Sequence, residues 1–132
     1  MADRHSAVIA YAQDARETAF RPGKHDCATF AAGWVKRCGG PDLMKGLRSK
    51  YSSLKKGREL AAEMGYATEL DVVVAHLHEV PRLMAQSGDV AWIEDGESAG
   101  FGLVAGEIVY CLTPKGGMGH VPLDRAARVF RP

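Results

Sequence analysis

The chain has 132 residues, is 46% hydrophobic and is nearly neutral, with 17 basic and 16 acidic residues. That length and apolar content suit a single domain with its own core. No run approaches the roughly 18 consecutive apolar residues of a membrane span, and the balanced charge gives no general attraction to nucleic acid.

The first element in chain order is a helix from about Asp3 to Thr18, where Val8, Tyr11, Ala12, Ala15 and Ala19 recur at helical spacing. The stretch "MADRHSAVIAYAQDARETAF" lacks a signal-peptide layout, so synthesis and folding in a cytoplasm are expected. "FRPG" ends this helix, because proline disfavours helix in the residue before it and glycine permits a turn. A second helix starts at Asp26, a good N-cap type. Its stripe, Cys27, Phe30, Ala31, Trp34, Val35 and Cys38, is the strongest amphipathic pattern in the chain, and "GGPD" stops it. On one helix, Cys27 and Cys38 stand about 16 Å apart, too far for a disulfide. Three cysteines make no disulfide framework, and free thiols in a reducing compartment are expected.

From Lys45 to Arg58 the chain is basic and carries no acid. Such a run is usually a solvated face, although it can also grip phosphates or an acidic partner. Within it "YSSLKKGRELAAEMG" predicts a third helix, capped at Ser52 or Ser53 and ended by Gly65. Thr68 and Asp71 form the pattern of a capping box opening a fourth helix through "ELDVVVAHLH", although the valine run also fits a strand. From Pro81 the pattern becomes β-type: "GDVAWIED", "GFGLVAG", "EIVYCLTP" and "GHVPL", with a hairpin turn at Gly106 and "ARVFRP" as an added edge strand. Trp92 and Ile93, beside the acidic turn "EDGE", read as ordinary strand residues. The fold class expected is α+β: one domain over residues 1–132, helical to about 80 and β-rich from 81, with the helices packed on a small antiparallel sheet.

"PGKHDCATFAAGWV" (Pro22–Val35), Tyr51, "GDV" (Gly88–Val90), "GM" (Gly117–Met118), "PL" (Pro122–Leu123) and "AARVF" (Ala126–Phe130) together resemble small phage-tail-associated domains related to the NlpC-type cell-wall cysteine peptidases. The resemblance spans nearly the whole chain. It implies a papain-like NlpC-type fold, a nucleophile at Cys27 and a place at a phage tail tip. Its implied partners are other tail proteins and, if the domain is active, a peptidoglycan stem peptide. Localisation would follow: made in the bacterial cytoplasm, then assembled into a virion tail. Two departures stand out. Pro22 occupies the place of an aromatic, and the strand after "GDV" carries "SAGFGLVAG" where the peptidases carry "H-x-G". Gly100 or Phe101 thus occupies the place of the base, and a third polar residue would fall near Tyr110 or Cys111.

The chemistry expected at Cys27 divides. A helix N-terminus favours thiolate and its free N–H groups suit an oxyanion, whereas a neighbouring carboxylate at Asp26 raises a thiol pKa. A cysteine at an apolar helical position also serves simply as packing. A nucleophile needs a base within hydrogen-bond reach. His120, in the β half, is the first candidate; His25, two residues from the thiol, is a secondary one that flanks it. His5, His76 and His78 read as structural or solvated. No metal is expected, because "HLH" at 76–78 has no accompanying "CxxC" or "HExxH", and no cofactor is expected. "PKGGMGH" reads as a turn, since it lacks the Lys-Ser/Thr ending of a phosphate loop. Two functions remain open: a thiol hydrolase acting through Cys27, or a structural adaptor of a tail that keeps the fold without the chemistry.

Overall fold

The computed structural model describes residues 3–95, 98–112 and 117–132. Parts of two expected turns, "EDGE" and "PKGGMGH", lie outside the described residues. The described helices are α1 (Arg4–Arg16), α2 (Cys27–Arg37), α3 (Leu54–Glu63) and α4 (Glu69–His76). Each of the first three starts at a short polar side chain that answers the free amides of its first turn. Asp3 caps α1, Asp26 caps α2 and Ser53 caps α3. At α4, Thr68 and Asp71 form a capping box, and the valine run after them is helical. That local cap outweighs the β preference of three successive valines.

The strands are β1 (His78–Val80), β2 (Val90–Asp95), β3 (Ser98–Ala105), β4 (Ile108–Leu112), β5 (Met118–Pro122) and β6 (Ala126–Arg131). They form one antiparallel sheet of order β1-β6-β2-β3-β4-β5. The C-terminal strand is therefore not an edge. It lies between β1 and β2, with Val129 and Phe130 buried. The three-residue β1, coming straight from α4, covers its outer side and places a strand inside the expected helical half. This also separates the "HLH" imidazoles, since His76 ends α4 with its Nδ1 at 2.8 Å from the Val72 carbonyl and His78 begins β1.

Alternation along the strands splits the apolar residues between two faces. Val90, Trp92, Phe101, Leu103 and Phe130 pack with Val8, Phe30, Trp34 and Val35 of the helices. Ala91, Val104, Val109, Ala126 and Val129 form a smaller cluster on the other face. The "GDV" segment joins the layers. Trp34 Nε1 donates to the Gly88 carbonyl at 2.7 Å. Gly88 sits at φ +94° with the Trp34 ring 3.2 Å from where a Cβ would stand, so only glycine fits there. Asp89, fully buried, accepts from Arg131 at 3.0 and 2.9 Å and from the Gln86 amide at 2.8 Å. "GDV" thus ties α2, β2 and β6 together.

Candidate functional site around Cys27

The loop before α2 is built for one carboxylate. Arg21 and His25 exchange backbone hydrogen bonds at 2.8 and 2.7 Å, closing a turn through Gly23 at φ +82°. Asp26 follows with no solvent exposure. Its Oδ1 accepts from the Thr29 amide at 2.8 Å, and its Oδ2 accepts from the Gly23 amide at 2.8 Å and the Tyr51 hydroxyl at 2.7 Å. Thr29 Oγ1 in turn accepts from the Asp26 amide at 2.7 Å, which completes a capping box. A buried carboxylate is tolerated only when so satisfied. One side chain therefore holds the preceding loop, the start of α2 and the Tyr51 segment in register. Burial and the hydrogen bond to Asp26 push the Tyr51 phenol well above its usual range.

Cys27 is the first residue of α2 and partly exposed. Its surroundings follow from an opening in the sheet. β3 pairs with β2 along its length, but its pairing with β4 runs only over Leu103–Ala105. Val104 exchanges hydrogen bonds with the β2 side, donating to Asp89 and accepting from Gly88 at 2.9 Å each. By the period of two, the Phe101 amide then faces the β4 side, at a place where β4 no longer pairs. The Cys27 sulfur stands there, near enough to the Phe101 and Ala28 amides that both favour its thiolate. It lies 3.5 Å from the point where a Cβ on Gly100 would be. Cys111 stands across the same opening, close enough that a charge on Cys27 opposes its ionisation.

Two effects oppose each other at this thiol. The helix N-terminus and two amides favour thiolate. Burial is the larger effect and, with the charges of Glu69 and Asp26, pushes the Cys27 thiol up to about 11. Cys111 is likewise pushed up to about 11 by burial. Both groups are protonated at neutral pH. Glu69 is itself raised by burial, with Arg58 3.6 Å away opposing this. A cavity of about 50 Å³ runs inward from Cys27, Tyr51 and Glu69 between α2, α3 and α4, and its walls include Ala31, Leu47 and Val73. It has space for a small group and is well below the several hundred Å³ of a usual ligand pocket.

The histidines lie elsewhere. His120 is exposed on β5, opposite Tyr110, which itself pairs with Leu103. Two strand spacings and three residues along β3 then separate His120 from Gly100, about 14 Å between Cα atoms. His25 Nε2 is 3.1 Å from the Ala15 carbonyl and ties the loop to α1. His5 Nδ1 meets Ser87 Oγ at 2.8 Å. The groups acting most strongly on Cys27 are amides and carboxylates, none of them an imidazole. The fold thus brings Cys27, Asp26 and Tyr51 together and sets His25 and His120 apart from the thiol. Two contributors escaped the sequence reading. Glu69 was not singled out within the fourth-helix stretch, and the Phe101 amide carries no sequence signal. Among the described residues no three His, Cys, Asp or Glu side chains group as metal ligands would, and no helix is long and apolar enough to cross a membrane.

The raised thiols predict an alkaline limit to stability. A group held above its unfolded value stabilises the fold below that value, near 9 for a thiol, and loses this contribution as pH rises toward its folded value of about 11. The urea midpoint should therefore hold from pH 7 to about 8.5 and fall steadily above it. The Cys27→Ala, Cys111→Ala double variant should show a shallower fall; an identical pH profile would contradict the assigned burial.

Comparison with curated proteins gave no match. Comparison with protein families gave one described as "Domain of unknown function (DUF6950)", matched over residues 1–132. The match covers both the Asp26–Cys27 helix start and the sheet beneath it, and this chain belongs to the DUF6950 family.

Proposed function

We propose that this domain is a structural adaptor of a phage tail tip, built on the papain-like NlpC-type plan and without its peptidase chemistry. The α+β layering supports the reading: a helix that starts at a cysteine leans on an antiparallel sheet. The observation that carries the loss of chemistry is the neighbour of the thiol. Gly100 and the Phe101 amide stand beside Cys27 where a base belongs, and the sulfur is held protonated with its pKa at about 11. The small apolar cavity behind the thiol suits a packing role.

A second reading, a hydrolase cutting a peptidoglycan stem peptide, is favoured by one feature. Cys27 lies at the first position of a capped helix and faces two amide donors, an arrangement that suits an oxyanion. It needs an imidazole from another chain. The adaptor reading predicts that purified tails contain the protein at fixed stoichiometry and that Cys27→Ser leaves infectivity unchanged. It also predicts equal release of soluble fragments from cell walls by purified tails carrying either form. Release that disappears in Cys27→Ser, or infectivity lost with normal assembly, would overturn the adaptor reading and establish the hydrolase.

A further inference from the structure

The basic run between Lys45 and Arg58 is not uniform once folded. Arg48 bonds Asp42 at 3.1 Å, and Arg58 lies 3.6 Å from Glu69. Lys50 and Lys56 have no ion pair among the described residues. They face two cations from a different part of the chain, Arg21 and Lys24, which belong to the turn before Asp26. The four line one cleft of about 430 Å³ whose walls contain no carboxylate. In a chain with 17 basic and 16 acidic residues, four cations around one concavity, none with an ion pair among the described residues, mark a local concentration of positive charge. Phe20 and Tyr51 supply part of the wall, and the volume falls within the range of small-ligand sites. Lys56 enters the cleft from the first turn of α3, where its own amide is already answered by Ser53 Oγ at 3.2 Å.

We infer that this cleft is a binding site for a ligand bearing adjacent phosphate groups. Phosphate suits it because several separate cations can each take one oxygen, whereas a single carboxylate would leave most of them unanswered. Lysines here act as point charges, and Arg21 adds a fork that can grip two oxygens. Tyr51 lines this cleft and also donates to Asp26, so an occupant would rest against the residue that holds the start of α2. The inference is independent of whether Cys27 is reactive.

The test uses two probes, pyrophosphate and vesicles of cardiolipin in phosphatidylcholine, at low ionic strength. With pyrophosphate, amide chemical shifts should change saturably at residues 21–24 and 49–56, with a Kd of about 1 mM or tighter. Lys24→Gln and Lys50→Gln should each weaken this about threefold to tenfold. Lys55→Gln, also exposed in the basic run but outside the cleft, should leave it unchanged. Sedimentation with vesicles that is lost in Lys24→Gln and Lys50→Gln would assign the phosphates to a lipid headgroup; saturable pyrophosphate binding without sedimentation would assign them to a soluble ligand. Unsaturated shifts without sedimentation, or equal weakening by Lys55→Gln, would overturn the site and leave only a diffuse basic face.

Discussion

Asp26→Ala should lower the stability of the domain by about 3–5 kcal/mol, the larger of two effects expected at this site. Losing an N-cap costs about 1 kcal/mol. The substitution also strands the Gly23 amide and the Tyr51 hydroxyl, which donate to Asp26 at 2.8 and 2.7 Å. Each buried polar group without a partner costs about 1–3 kcal/mol. Tyr51 is half-buried and can recover part of its bond from water, which keeps the total below the simple sum. Urea unfolding should show a lower midpoint at an unchanged slope. Two companions divide the effect. Tyr51→Phe removes one donor and should cost about 1 kcal/mol. Asp26→Asn keeps one oxygen for the Thr29 amide but turns an NH₂ toward the other donors, so it should fall between the two. An Asp26→Ala protein within about 0.5 kcal/mol of the parent would mean that the loop, helix and Tyr51 segment are not held by this carboxylate.

Gly100→His should confer reactivity on the thiol. A Cβ at this position stands 3.5 Å from the Cys27 sulfur and 4.0 Å from its Cβ, ordinary contact distances, and the backbone there is not left-handed. An imidazole carried at position 100 would lie beside the sulfur on the side where the sheet opens. A protonated imidazole next to a thiol stabilises thiolate and offsets the burial that now sets the pKa at about 11. Each unit of lowering raises the thiolate fraction at pH 7 about tenfold. Iodoacetamide labelling of Cys27 at pH 7 should therefore accelerate by about tenfold or more, and the inflection of its pH–rate profile should move down. Gly100→Gln, similar in reach but uncharged, separates the imidazole effect from altered packing. Equal acceleration by glutamine, or an unchanged histidine profile, would show that the geometry at position 100 does not address the thiol.

Much of the fold was legible in the sequence because the signals behind it are local. The helix starts at Asp26 and Ser53 each follow from a side chain meeting an amide a few residues ahead, and the start at Thr68 from the Asp71 carboxylate reaching back to the Thr68 amide. The stripe from Phe30 to Val35 turned the matching face of α2 into the core. Cys27 at a helix start, alternation in the strands and the turn at Gly106 were readable in the same way.

What the tertiary structure alone decided depends on residues distant in the chain. β6 became an inner strand because β1, almost fifty residues earlier, pairs along its outer side. The state of Cys27 rests first on its burial, then on an amide freed where β4 parts from β3 and on the charge of Glu69 on another helix. The basic run became a cleft only where the Arg21–Lys24 turn closed against it. Caps and periodicities act within a turn or two of chain, so sequence alone determined where elements begin and which faces are apolar. Burial, strand order and the field at a sulfur sum over groups that only folding brings together, and those sums set the ionisation of the thiol at position 27.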